Sequence, residues 1–180
     1  MSEYHNTKAE DRVPLGQKLA VGAGGFPIQN GGLIVQYMAQ PIFQIFLGLN
    51  PALFGLAMTI PRIWDAFTDP VMGRISDRTQ SRYGRRRPYV FVGALAVALT
   101  FLTIWMVPQS MGDTGTFLWL TIGSVLFFTA FTVFSVPFNA LVYEQTPDYH
   151  ERTRLMFYLA LFYNIGNLCV NWYVPATNWS

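Results

Sequence analysis

The sequence predicts an all-α protein, a bundle of about five helices that cross a membrane. Three observations predict it. Five segments are long and apolar enough to span a bilayer, which takes about 20 mostly apolar residues. Charged residues make up 12% of the 180 positions and hydrophobic ones 52%, whereas a soluble domain carries about 25% charged residues. The basic residues are also confined to alternate loops, as they are in proteins that thread a membrane repeatedly. The net charge of +2 is small, so placement of the charges carries more information than their sum.

Taken in order, residues 1–18 form a polar segment with Glu3, Glu10 and Asp11. The apolar stretch that follows is too long for a cleaved signal peptide and no A-x-A site closes it. The first expected span covers 19–47 and is ended by the turn G-L-N-P at 48–51. The second covers 52–75. The third, 89–107, begins after Pro88, and the loop P-Q-S-M-G-D-T-G closes it. The fourth covers 116–143 and the fifth 155–173. Residues 19–180 thus read as an incomplete N-terminal transmembrane half.

Lys8, Arg12 and Lys18 precede the first span. Arg74, Arg78, Arg82, Arg85, Arg86 and Arg87 lie between the second and third, and Arg152 and Arg154 between the fourth and fifth. The other two loops contain no Lys or Arg, and the remaining basic residue, Arg62, is inside the second span. Positive charge collects on the cytoplasmic side, so the N-terminus is expected in the cytoplasm and the chain in the plasma (inner) membrane.

The stretch from Pro61 to Pro88 organises the rest. Its apolar first half contains Arg62, Asp65 and Asp69, and spacings of three and four put them on one helical stripe. Ionisable groups inside a membrane are expensive and mark ion or solute pathways. Two carboxylates on one face of a low-dielectric helix cannot both ionise cheaply, and a bound cation relieves their repulsion. A hard cation such as Na⁺ takes oxygen ligands, whereas a proton needs one carboxylate. Arg62, one turn away, can neutralise part of the pair, and Pro70 frees a backbone carbonyl or bends the helix.

Polar stripes recur elsewhere. Gln29, Gln36, Gln40 and Gln44 keep to one face of the first span, with Tyr37 beside them. They read either as a cavity wall or as interhelical hydrogen bonding. Gly22, Gly24, Gly25, Gly31 and Gly32 with Pro27 make that helix closely packable. Thr132, Ser135 and Asn139 share a side of the fourth span, and Asn164, Asn167 and Asn171 a side of the fifth. Cys169, the single cysteine, reads as a small packing residue. His5 and His150 lie far apart in polar segments, and no metal site is expected. No Walker-type loop, G-x-S-x-G or H-E-x-x-H occurs. With no soluble domain to present the arginines, nucleic acid is not an expected partner. An intramembrane aspartyl hydrolase needs two aspartates from facing elements, but Asp65 and Asp69 share one helix.

The residues R-I-W-D-A-F-T-D-P-V-M-G at 62–73, S-R-Y-G-R-R-R-P at 81–88, V-P-F-N-A-L at 136–141 and T-P-D-Y-H-E-R-T-R-L at 146–155 resemble the glycoside–pentoside–hexuronide:cation symporters. These are the melibiose permease relatives within the major facilitator superfamily. The resemblance covers about a quarter of the chain. It implies a major facilitator-like helix bundle, of which this chain is the N-terminal portion within a carrier of about twelve helices.

The resemblance further implies that Asp65 and Asp69 are cation carboxylates and that Thr132 is the fourth helix's cation-site threonine. Thr68 stands where melibiose permease has an asparagine. The acids and the arginine that related permeases use for sugar fall at Gln29, Ser135 and near Ala160, so neutral groups replace charged ones. Gln29, Gln36, Ser135 and Asn139 remain candidate solute contacts. Gly73, Asp77, Arg78, Gly84, Arg85 and Arg86 match the superfamily's cytoplasmic gate motif, with Arg62 added as part of the charge network. The same arginines also read as topology determinants or as contacts for anionic lipid headgroups.

The expected function is that of a secondary transporter, not an enzyme. It would carry a sugar or sugar-like solute in symport with Na⁺ or H⁺ and need no cofactor beyond that coupling ion. Its partners are the solute, the cation, membrane lipids and the carrier's own C-terminal portion. The alternatives are a carrier of a lipid-like solute and a non-transporting membrane sensor or structural protein.

Overall fold

A computed structural model describes residues 12–108 and 111–177, without the side chains of residues 29, 170 and 173–177. The described residues are helical with short connections: α1 Leu15–Ala39, a π-helical segment Gln40–Phe46, α2 Pro51–Arg78, α3 Arg87–Trp105, α4 Asp113–Tyr143 and α5 Tyr149–Thr177. Each helix starts before its expected apolar span, most of all α5, which starts six residues before 155, while α3 ends two residues short of 107. Apolar windows stop where polarity begins, but a helix runs on to its cap. Asp148 caps α5 by accepting from the N–H groups of His150 (2.7 Å) and Glu151 (3.0 Å), two of the donors that a helix start leaves unpaired. Asn50 caps α2 by accepting from Ala52 N–H at 2.8 Å, with Pro51 in the first turn, where its missing N–H is harmless.

The first expected span is not one regular helix. Pro41 cannot donate to the Tyr37 carbonyl, and from Gln40 the chain widens into a π-helix, with Leu47 N–H donating to Ile42 O at 3.0 Å. A wider turn shifts the angular register. Gln40 still follows Gln36 by one α-helical turn, but Gln44, inside the widened segment, does not continue that face, which corrects the single-stripe expectation at Gln44. Gly48 ends this segment at φ 69°, a left-handed conformation that glycine adopts without strain.

By length and composition alone, two helices among the described residues, α3 and α4, qualify as membrane spans, fewer than the five expected. The others are long enough. They are interrupted by the Gly and Gln residues of α1, the Arg and Asp residues of α2 and the Asn residues of α5, the same stripes that make them candidates for a site.

The described residues form two compact units, one of those up to Ile34 together with those from Ala140 on, the other of those from Val35 to Asn139. The second has a core of Val35, Ala39, Phe43, Leu49, Phe54, Ala57, Ile104, Leu120, Phe127 and Phe128. Aromatic contacts extend it. Phe101 meets Trp105 edge-on at 5.6 Å and Phe127 stacks on Phe131 at 6.0 Å, each worth about 0.5–1.5 kcal/mol beyond area burial. Between helices in lipid, where the hydrophobic drive is absent, packing of this kind carries the association. α3 and α4 approach closely at Gly93, where an added Cβ would lie 2.7–2.9 Å from the N, Cα and Cβ of Phe134.

In the first unit, glycines likewise let α1 meet α5. Gly22 faces the Phe162 ring, Gly25 faces Leu159, and Gly166 faces Asn30 and Phe26. The asparagines of α5 bond within their own helix: Asn164 to Ala160 O at 2.7 Å, and Asn171 to Asn167 Oδ1 at 3.2 Å. Cys169 is exposed, so it is not the packing residue expected.

Candidate functional site: a carboxylate pair between α2 and α4

Asp65 and Asp69 lie one turn apart on α2. The Thr132 hydroxyl of α4, 3% exposed, donates to Asp69 Oδ1 at 2.9 Å. With its proton directed to Asp69, the Thr132 oxygen still has lone pairs to offer. Asp65 Oδ1 is buried and has no hydrogen-bond partner among the described residues. An unsatisfied buried carboxylate oxygen is costly, and a cation is a ligand that would satisfy it. Pro70 supplies no N–H to the Ala66 carbonyl, so a backbone oxygen stands on the same helix without its usual donor.

The neighbouring contacts fix the helices. Trp64 Nε1 donates to Thr129 Oγ1 at 2.9 Å, and that hydroxyl donates on to Val125 O at 2.7 Å. α2 is thus held to α4 by one bond on each side of Asp65. Thr68 turns its hydroxyl back to its own helix, toward Trp64 O (3.3 Å) and Asp65 O (3.5 Å), and not onto either carboxylate. The Arg62 guanidinium lies over the Phe128 ring, 4.8 Å from its centroid. Among the described residues no ion pair joins it to Asp65 or Asp69.

The solute candidates are more scattered. Ser135 is buried, three residues beyond Thr132, while Asn139 and Gln36 are exposed. The Gln29 side chain lies outside the described residues. At the end of α2, Asp77 accepts from Arg86 Nη2 of the following loop at 2.5 Å, with the Arg86 side chain 11% exposed. Arg78 and Arg85 are exposed. Gly84 takes φ 97° and its N–H donates to Ser81 O at 3.0 Å, which makes the tight turn that returns Arg86 to Asp77.

The sequence reasoning missed a second cluster. Glu151 is fully buried at the start of α5. Its Oε1 lies 2.5 Å from Lys18 Nζ and accepts from Val13 N–H at 3.1 Å, and its Oε2 accepts from Arg154 at 3.4 Å. Burial pushes the carboxyl's pKa up. The hydrogen bonds from Lys18 and Val13, with the charges of Lys18 and Arg154, outweigh that and hold it below its ordinary 4.5. One hint was available: Glu151 sits three residues after a helix-capping Asp148, where a capping-box acid is expected.

Residues 20–177 match the family described as MFS/sugar transport protein. Over 144 residues the chain is 36% identical to an uncharacterized symporter of Synechocystis sp., covering 77% of this chain and 26% of that protein. It is 32% identical over 136 residues to the sodium-dependent lysophosphatidylcholine symporter 1-A of Danio rerio, covering 75% of this chain and 25% of that one. Over 157 residues it is 27% identical to an Escherichia coli (strain K12) protein provisionally named as the glycoside/cation symporter YagG, covering 87% of this chain and 33% of that protein. The chain therefore spans about a quarter to a third of the length of these relatives.

Proposed function

Because this chain belongs to the MFS/sugar transport protein family, and so to a family of integral membrane transporters, we propose that it is the N-terminal portion of a cation-coupled symporter in which Asp65 and Asp69 bind the coupling ion. The observation that carries this reading is the Thr132–Asp69 hydrogen bond beside an unpartnered, buried Asp65 Oδ1. A cation entering there gains two carboxylates and a hydroxyl oxygen as ligands and removes the repulsion between the acids. Solute binds well only once the pair is neutralised, and by linkage the solute must strengthen cation binding by the same factor. The oxygen donor set, and sodium dependence in the name of a relative, favour Na⁺ over H⁺. The protein is a transporter and not an enzyme, in the plasma membrane with its N-terminus cytoplasmic.

The solute is a sugar or sugar-like molecule, contacted by Gln29, Gln36, Ser135 and Asn139. This is supported by the family description and by the glycoside relative. A second reading, a lysophospholipid-like solute, is favoured by the higher identity to the lysophosphatidylcholine symporter, 32% against 27%. Neutral groups at Gln29 and Ser135 suit either.

The test uses the full-length carrier in vesicles. Asp69→Asn is expected to abolish cation-driven accumulation yet leave solute exchange measurable, and Asp65→Cys to behave similarly. If both variants still concentrate solute with unchanged cation dependence, the pair is not the coupling site. Counterflow with labelled glycosides against labelled lysophospholipids separates the two solutes, and stimulation by Na⁺ at fixed pH separates Na⁺ from H⁺.

A further inference from the structure

The geometry points to a binding site for an anionic phospholipid headgroup in the pocket between the α2–α3 loop and the start of α3. The pocket, of about 840 Å³, is lined by Arg82, Tyr83, Gly84, Arg87, Pro88 and the adjoining Phe91 and Val92. Its polar wall is cationic. Asp77, the acid in the last turn of α2, is engaged by Arg86 at 2.5 Å, while neither Arg82 nor Arg87 forms an ion pair among the described residues. Arg82 is held in place, its guanidinium 4.6 Å from the Tyr83 ring centroid and its Nη2 2.6 Å from Tyr83 OH. The positive end of the α3 dipole, at Arg87, adds to the same field. Two guanidinium forks suit a phosphate diester.

The other wall is apolar and leads away from the charges. Phe91, Leu95, Leu99 and Leu102 are 68%, 55%, 66% and 60% exposed, and spacings of four, four and three align them on one face of α3. From Phe91 to Leu102 this ridge rises about 16 Å, about half the hydrocarbon thickness of a bilayer. A headgroup at Arg82 and Arg87 therefore has an acyl-chain path of one leaflet's depth beneath it, which a free phosphate does not use. Basic pockets of this kind at the cytoplasmic face hold anionic headgroups. The site requires that the chain is in a membrane with this loop at the cytoplasmic face, as proposed above, and is independent of the coupling reading.

The test uses the full-length carrier in phosphatidylcholine vesicles, with spin-labelled phosphatidylglycerol or phosphatidylcholine reporting lipid immobilised at the protein. The intact carrier should hold phosphatidylglycerol in preference to phosphatidylcholine. Arg82→Gln should lower the preference about five-fold, and Arg82→Gln with Arg87→Gln about 25-fold. Arg82→Lys with Arg87→Lys should keep most of it, which controls for misfolding. Phe91→Ala should weaken phosphatidylglycerol retention, and millimolar inorganic phosphate should not displace the lipid. An unchanged preference in the double Gln variant overturns the proposal. So does an equal loss in Arg74→Gln, outside the pocket, which would mean a diffuse basic surface. Displacement by inorganic phosphate with no effect of Phe91→Ala would assign the pocket to a soluble anion and equally overturn it.

Discussion

Thr132 and Asp69 are 63 positions apart in the chain and joined by a 2.9 Å hydrogen bond. This bond ties α4 to the carboxylate pair of α2. It makes Thr132 both a brace for Asp69 and a potential ligand in its own right.

Thr132→Val keeps the shape and removes the oxygen. In the full-length carrier the cation concentration for half-maximal transport is expected to rise about ten-fold, the scale of one lost hydrogen bond to a charged group, while Thr132→Ser stays within about three-fold. Cation titration of solute uptake measures both. An unchanged midpoint in Thr132→Val would show that the hydroxyl is not a ligand.

Gly93→Ala places a methyl group 2.7–2.9 Å from backbone and Cβ atoms of Phe134, atoms that cannot swing aside. Overpacking of this kind costs about 1–3 kcal/mol. Thermal unfolding in detergent should show a lower Tm. Gly55→Ala, with nothing within 4 Å of the new methyl, should be neutral or slightly stabilising.

Glu151 has a folded-state pKa below its ordinary 4.5. Its contribution to stability is therefore fully present above pH 4.5 and is lost as pH falls below that value toward the folded pKa. The Tm of the protein should drop more steeply below pH 4.5 than that of Glu151→Gln. At pH 7, Lys18→Met should lower Tm because it leaves a buried carboxylate short of its partner. Lys18→Met with Glu151→Leu should recover part of the loss. Parallel acid profiles for the protein and Glu151→Gln would refute the assignment.

Orientation is tested in a Cys169→Ser background with single cysteines at Asn50, Gln80 and Asp113. An impermeant reagent outside the cell should label positions 50 and 113 and leave 80 protected. The reverse pattern would place the arginine loop outside.

Helix number and order were readable because apolar length and arginine placement are local properties of the chain. The α2 carboxylates were readable for the same reason, since spacing along one helix needs no tertiary information. Helix ends were not, because caps such as Asp148 lie outside the apolar windows. The π-helical segment was not, because a proline in a helix predicts a disturbance without saying whether the chain bends or widens. Contacts between helices were also hidden. Nothing in the order of residues says that Arg62 lies over Phe128, that Trp64 bonds Thr129, or that Glu151 meets Lys18. Those pairings depend on how the helices lie against one another.

The helices differ in length, with 19 residues in α3 and 31 in α4. At 1.5 Å per residue these are about 28 Å and about 46 Å, against a hydrocarbon layer of about 30 Å. α3 matches that thickness standing upright. α4 has a surplus that it must absorb by leaning or by projecting into the headgroup region. A change in bilayer thickness would thus alter the tilt of α4 more readily than that of α3. Because the two are pinned together at Gly93 and Phe134, that change of tilt becomes a pivot about one point, and the Thr132 hydroxyl sits less than one turn from it.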